Sequence, residues 1–360
     1  MTEEELRAAF ARQEPSIPPV GPLRAAIDRI AARRRRRRNR LRAGGAALAV
    51  LGLLGVAVPQ VVPPVGERAA TGNLTVDPGG RADALNVLLL GLDGTPRAHA
   101  AGSTPRADAM LLVHVPADRS RIWLVSMPRD LLVKIPGHGT ARLNTAFAQG
   151  AGQPRPDLRR GYELTERTVT GVTGLPIDAG SALTYPALRK LTDGVGGVEV
   201  CLPGQVRSTH TRRTFPAGCQ RLDGAGAVDL LRQRRDLPNG ARDRDRNVQR
   251  YLAGLLRQLD ERELRTNPAA LGRLLAGIGA DLTVDTGGRS LPDLLALAGT
   301  ATSAAPVGVA LPTVEDRERL GTSLLDRRAA PAFLAALRED RLDEWAAANP
   351  ERVTPLAPQR

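Results

Sequence analysis

Six consecutive arginines, Arg33–Arg38, with Arg40 and Arg42 just behind them, stand directly in front of a stretch that carries no charge from Ala43 to Gly66. Its apolar part, AALAVLGLLGVAVPQVV, is long enough to cross a bilayer core of ~30 Å at ~1.5 Å per helical residue. Cationic flanks stay on the cytoplasmic side. The pattern predicts a cytoplasmic basic segment at 1–42 and a single-pass transmembrane signal anchor at 43–65. Everything after it would be extracytoplasmic, facing away from the cell membrane. A cleaved signal peptide is the competing reading. Its charged leader would run to about 42 residues, however, and no small-x-small cleavage site follows the apolar core closely.

The net charge of +13 has to be divided along this boundary. Residues 1–42 hold twelve arginines against five acids, so +7 sits there and +6 on all the rest. The outer part is mildly basic rather than a polycation. An arginine run can bind a phosphate backbone. This one abuts a membrane, where topology explains it and anionic lipids compete. Aromatic residues are only 2% of the chain, which removes the stacking platform that single strands need. No nucleic-acid partner is expected.

Cys201 and Cys219 both fall in the outer region, where a disulfide persists. They form a bridge or remain two free buried thiols; the compartment favours the bridge. Two cysteines and four scattered histidines give no metal cluster.

Residues 66–83, rich in Pro, Gly and Thr, read as a linker that lifts a domain off the membrane. The globular part opens near Ala84 and runs to about 345, with 346–360 as a loose tail. Apolar runs at 86–90, 110–115 and 122–126 predict strands, and 116–121 a hairpin turn between the last two. Helical periodicity follows at about 158–173, 183–192, 224–233, 245–259, 268–278, 290–298 and 328–345. Short strands fit between some of these, at 198–202 and 307–311. The fold class is α/β, a three-layer α/β/α sandwich.

Chemistry gathers where the apolar runs end. Asp93 follows NVLLLGL, Arg106 and Asp108 precede MLLVHV, and Arg129 and Asp130 follow IWLVSMP. Strand ends are where ligands bind in open α/β sheets. Carboxylates suit a hard cation, and planar guanidinium groups grip phosphate bidentately. A second arginine group, Arg232 and Arg234, ends the helix that begins near Gly224, and Arg244 and Arg246 follow the turn LPNG.

These motifs stand in an order that resembles the LytR–CpsA–Psr family from about 84 to 260. NVLLLGLDG, PRADAMLLVHV and IWLVSMPRDLLVKIPGHGTARLNTAFAQG match the family's first three strands and the Pro-Arg-Asp stretch that follows. LTDGVGGVEVCLP and LDGAGAVDLLRQR match its later elements. The resemblance implies a membrane-anchored phosphotransferase. It would move a glycopolymer from a polyprenyl-pyrophosphate carrier to peptidoglycan hydroxyls, with Mg²⁺, or Mn²⁺ in its place, assisting pyrophosphate cleavage.

By motif position, Asp93 and Asp108 would hold the metal and, with Arg129, act in catalysis. Arg106, Asp130, Arg142, Asn144, Arg232, Arg234 and Arg244 would bind substrate. One segment departs from the family pattern. In NGARDRDRNVQRYL, aligned without a gap, Ala241 stands where the family has an acid, and Asn247 and Val248 replace a basic-amide pair. A two-residue shift would instead enlist Asp243 and Arg246. Hydrolysis of the same pyrophosphate, and a non-catalytic envelope regulator, are the alternative functions.

Overall fold

The run NVLLLGL has no polar interruption because both faces of its strand are covered. In the computed structural model, residues 84–93, 104–264, 267–287, 306–354 and 356 are described. All of them lie in one compact unit, Thr71–Arg360. The predicted cytoplasmic segment, anchor and linker lie outside the described residues, as does the helix expected at 290–298. Among the described residues, no helix is long and apolar enough to cross a membrane.

β1 (Leu85–Leu92), β2 (Ala107–Val115) and β3 (Trp123–Ser126) are antiparallel neighbours at the centre of a seven-stranded mixed sheet. β4 (Leu132–Ile135) and β5 (Gly139–Arg142) form a separate hairpin after β3. Two helices follow, α1 (Thr145–Ala151) and α2 (Leu158–Thr173), and return the chain to β6 (Ala179–Thr184), which runs parallel to β1. Next come α3 (Tyr185–Gly194) and a small ladder. There β7 (Val198–Leu202) pairs with β10 (Gly218–Leu222), and β8 (Val206–Arg207) pairs with β9 (Thr214–Phe215).

α4 (Gly224–Arg232), α5 (Ala241–Glu261) and α6 (Pro268–Ile278) lead to β11 (Leu282–Asp285), antiparallel to β6. β12 (Val307–Ala310) lies parallel to β3, and β13 (Thr313–Glu315) pairs with β14 (Ser323–Leu325). α7 (Ala330–Arg338) and α8 (Leu342–Ala348) precede β15 (Val353–Thr354), which closes the sheet beside β12.

Alternate residues of β1 serve two cores. Leu88, Leu90 and Leu92 pack with Phe147 of α1, Tyr162 of α2, Phe333 of α7 and Trp345 of α8. Leu85, with Val87 and Leu89 against it, packs toward Leu111, Leu124 and Ala253 of α5 on the opposite face. Helices therefore cover both faces, the layering expected from the sequence. Truncating Leu88 or Leu112, both 0% exposed, to Ala would cost ~2–5 kcal/mol. A further core joins Val198, Val200, Phe215, Leu222, Leu230 and Tyr251, and it fixes α3, α4 and α5 around the small ladder. Cys201 and Cys219, opposed residues of β7 and β10, form a disulfide.

Three expectations are corrected. Residues 346–354 and 356 are not a loose tail: Val353 and Thr354 pair with β12, and Leu356 is buried. The helix expected over 328–345 is two helices, because Asp340 adopts φ 53° between them. α5 begins at Ala241 rather than 245. Gly240, at φ 52°, turns the chain there, and Asp243 in the first helical turn accepts from the Asn239 amide at 2.9 Å.

Candidate functional site

β1 and β3 end, and β2 begins, at one edge of the sheet. The pairing of β1 with β2 slips there, from Gly91↔Ala109 to Leu92↔Ala107, so Asp108 has no partner opposite it. A bulge of this kind re-aims a side chain. A Cβ on Gly91 would stand 3.2 Å from Ala109 Cβ, a tight contact that Ala109 would have to yield to. Asp93 is fixed by the strand it faces: its amide donates to Arg106 O at 2.9 Å, and its Oδ1 accepts from Arg106 N at 2.6 Å. Arg129, just past β3, donates from Nη1 to Asp108 Oδ1 and from Nε to Asp130 Oδ2 at 3.3 Å. Arg142 Nη1 lies 3.7 Å from Asp130 Oδ1 on the far side.

Two cavities meet at Asp108. The first, of about 350 Å³, lies between Leu89, Leu111 and Leu183 of the sheet and Leu188, Leu252 and Leu275 of α3, α5 and α6. It is apolar along its length, and Asp108, Tyr185, Arg232, Arg234 and Arg244 also line it. The second, of about 900 Å³, is polar and shares Asp108, Tyr185, Arg232 and Arg234 with the first. Its wall adds Asp93, Thr209, His210, Arg235 and Ala241.

Charge is unevenly balanced across this junction. Burial works to lower the Arg129 pKa, but the Asp108 and Asp130 carboxylates together outweigh it and hold Arg129 above the ordinary arginine value. For Arg234 burial lowers the pKa, and repulsion from Arg129 and Arg244 lowers it further. Arg244 is only 3% exposed, and its Nε and Nη1 have no hydrogen-bond partner. Its Nη2 alone is held, by Asp245 Oδ1 at 3.0 Å. A buried guanidinium with two unsatisfied donors is costly unless an anion completes it. Asp245 is itself pushed up by burial, against the pull of Arg244.

Arg232 stacks over the Tyr185 ring at 5.0 Å. Burial, with repulsion from Asp108, raises the Tyr185 phenol, which keeps it a neutral donor.

Burial likewise pushes the Asp93 carboxyl above the ordinary carboxylate value; the Arg106 amide works against this, and repulsion from Asp108 adds to it. Two mutually repelling carboxylates on a polar wall, one of them raised by burial, are a donor set that a hard cation such as Mg²⁺ fits. The grouping of Glu199 with Cys201 and Cys219 is not comparable, since a disulfide has no thiolate to offer.

Of the residues singled out in the sequence, Asp93, Asp108, Arg232, Arg234 and Arg244 come together at the junction. Arg129 and Asp130 stand behind Asp108. Arg142 and Asn144 do not reach the cavities: Arg142 rests on Asp130, and Asn144 is buried, its amide donating to Arg129 O at 2.9 Å. Arg106 lines a separate cavity with Thr104, Thr145 and Gln149. Arg244 lines the cavity, while Arg246 pairs with Asp243 at 3.0 Å.

Tyr185, Thr209, His210, Arg235 and Asp245 were not identified from the sequence. Tyr185 could have been found from Thr184 and Pro186, a helix cap and first-turn proline placed directly after a strand.

A mixed α/β sheet with helices on both faces, and an apolar cavity opening onto arginines and carboxylates at the strand ends, defines the class of protein. The LytR_cpsA_psr family matches residues 66–328, and the chain belongs to it. The cell wall biosynthesis protein LcpA of Corynebacterium glutamicum is 31% identical over 279 residues, covering 67% of this chain and 52% of that protein. The polyisoprenyl-teichoic acid–peptidoglycan teichoic acid transferase TagU of Oceanobacillus iheyensis is 32% identical over 169 residues, 46% of this chain and 49% of its own. The chain thus spans about half the length of these curated relatives. Among solved structures, a LytR-Csp2A-Psr enzyme from Actinomyces oris aligns with a TM-score of 0.53 and 25% identity, over 70% of this chain and 89% of that one.

Proposed function

We propose that this protein is a transferase that moves a cell-wall glycopolymer from a polyprenyl-pyrophosphate carrier to a peptidoglycan hydroxyl at the outer face of the membrane. One observation carries the reading: an apolar cavity ends against Arg232, Arg234 and the incompletely paired Arg244. A prenyl chain in such a cavity contributes about 0.8 kcal/mol for each CH₂ it buries. Its head group then meets guanidinium groups that have no sufficient protein anion of their own.

In this reading Arg232, Arg234 and Arg244 bind the pyrophosphate oxygens, with Asp245 holding Arg244 in place. Arg129 keeps Asp108 aimed at the junction. Asp93 and Asp108 would hold Mg²⁺, which supplies neutralisation of the charge that develops as the pyrophosphate opens. The acceptor hydroxyl oxygen bonds to the phosphorus that bears the polymer, and the bridging P–O bond breaks. Polyprenyl phosphate leaves, and the hydroxyl proton passes to the Asp93 carboxylate. The excess negative charge of the departing phosphate stays against the arginines. The uncharged stretch at 43–65 anchors the chain where such a carrier is found, a role supported by the arginines in front of it.

The test is radiolabelled polymer transfer by the full chain in detergent micelles, from a lipid-pyrophosphate donor to a peptidoglycan fragment, with and without Mg²⁺. Label appearing in the fragment, dependent on Mg²⁺ and on Arg234, is expected. Release of the polymer into water alone would make the protein a hydrolase instead. No consumption of the donor would remove the transferase reading.

A further inference from the structure

A separate cavity, of about 400 Å³, lies at the ends of β3 and β12, where Ser126, Pro128 and Ala310 meet α5. Gln249 of α5 makes that corner rigid. Its Nε2 donates to Leu124 O at 3.0 Å and to Val309 O at 2.7 Å, tying both strands to the helix. One ion pair separates this cavity from the junction: Asp245 lines it, and Asp245 Oδ1 accepts from Nη2 of Arg244, which lines the apolar cavity. Pro128 directly precedes Arg129, which holds Asp108.

The wall carries charge of both signs. Arg242, Arg246 and Arg352 stand with Asp245, Asp326 and Glu351. Arg246 is committed to Asp243 at 3.0 Å. Arg352 is loosely held, 3.8 Å from Asp326 and 3.5 Å from Glu351, beyond the ~2.7–2.9 Å of a direct charged hydrogen bond. Arg242 is exposed and makes no ion pair among the described residues.

Two further features narrow the ligand. Between the charges the lining is apolar, with Leu311, Pro312 and Val314, the last of them 44% exposed. β13, which carries Val314, has β14 as its one strand neighbour among the described residues, so its second edge keeps backbone donors and acceptors for a ligand. A bare anion would meet three acids on this wall, and a neutral sugar needs no such charge. A short peptide bearing both carboxylates and an ammonium group matches the charges, the apolar strip and the open strand edge together.

We propose that this cavity takes the stem peptide of the peptidoglycan acceptor. The inference rests on the transferase reading. Arg242 meets a stem carboxylate, and Glu351 with Asp326 meets the ammonium group. Held there, the peptide orients its glycan toward the reacting groups on the same sheet edge.

The experiment uses the full chain in micelles with a labelled lipid-pyrophosphate donor. Two acceptors are compared: a peptidoglycan fragment with its stem peptides, and the same glycan stripped of them by an amidase. Arg242→Ala and Glu351→Gln change exposed side chains, so folding should be retained, checked by thermal melting. Each variant should raise the KM for the peptide-bearing acceptor about tenfold, the scale of one lost charged hydrogen bond. The KM values for stripped glycan and for donor should move by less than about twofold. Amidating the stem carboxylates should abolish the effect of Arg242→Ala while leaving that of Glu351→Gln.

An equal effect on both acceptors, or none on either, overturns the peptide site and leaves the transferase reading in place. Donor consumed with no label in either acceptor overturns the peptide site and makes the protein a hydrolase. Failure of the unmutated chain to consume any donor overturns both readings.

Discussion

Arg129, behind Asp108, and Arg234, on the junction itself, are in opposite electrostatic situations. On the strand-end wall, Arg129 is held by two carboxylates that raise its pKa, so its charge is spent within the protein. On the helix wall, Arg234 is pushed the other way, by burial and then by Arg129 and Arg244. A paired arginine organises its neighbours, whereas one repelled by its neighbours is waiting for an anion. Residue type alone would have treated the two alike.

The largest expected effect comes from removing the charge that the protein itself leaves unneutralised. Arg234→Ala should lower kcat/KM by about 10²–10³-fold, the usual scale for a group that stabilises developing charge. Because the substitution relieves repulsion, the melting temperature of the unliganded protein should stay level or rise. A fall in melting temperature with activity retained would reverse the roles assigned to the two walls.

Arg129→Gln should act indirectly, through Asp108. Outer partners of metal-holding groups are worth about 10–100-fold in activity or metal affinity. Here the melting temperature should also drop, since Asp108 and Asp130 lose their shared cation. Titration of Mg²⁺ against activity would show the loss as a higher metal requirement.

Asp93 offers a test in pH. Its folded pKa lies above the ordinary value, so the folded chain holds this proton more tightly than the unfolded chain. Stability from this group is therefore lost as pH rises from the ordinary carboxylate value through the raised one. Without metal, Asp93→Asn should melt above the unmutated chain at neutral pH, with the gap closing under acid, while its activity is gone. Calorimetry across pH would read both arms, and a gap that widens under acid would refute the assigned direction.

The smallest effect should come from Val248→Gln, at a position where the ungapped alignment would depart from the family pattern. Val248 lines the apolar cavity rather than the polar one. An amide added there should change kcat/KM by less than about threefold, since the arginines already supply the donors. A gain of tenfold or more would mean that the departure had disabled part of the site.

The sequence was most informative where burial on both faces makes a strand a continuous apolar run. NVLLLGL, MLLVHV and IWLVS were legible, and so were the charged residues at their ends, because periodicity and strand-end logic need only local order. β6, AGSALT, has too little bulk to stand out, so Tyr185 at its end was missed. Arg142 and Asn144 were adjacent in sequence to the right motif. The β4–β5 hairpin instead carries Arg142 behind Asp130, a matter of chain direction that spacing does not encode. The cavity lining was illegible for a different reason: Leu89 and Leu252 read the same whether they meet a ligand or another side chain. The disulfide was favoured by compartment, and the cross-strand pairing of Cys201 with Cys219 bears it out.

The most direct test of the central claim is a crystal structure of the protein with a polyprenyl pyrophosphate bound. The prenyl chain should lie between Leu89, Leu188 and Leu252, with phosphate oxygens in hydrogen-bond reach of Arg234 and of the Nε and Nη1 of Arg244. A head group seated elsewhere, with Arg244 still unpartnered, would contradict the assignment of this junction to pyrophosphate.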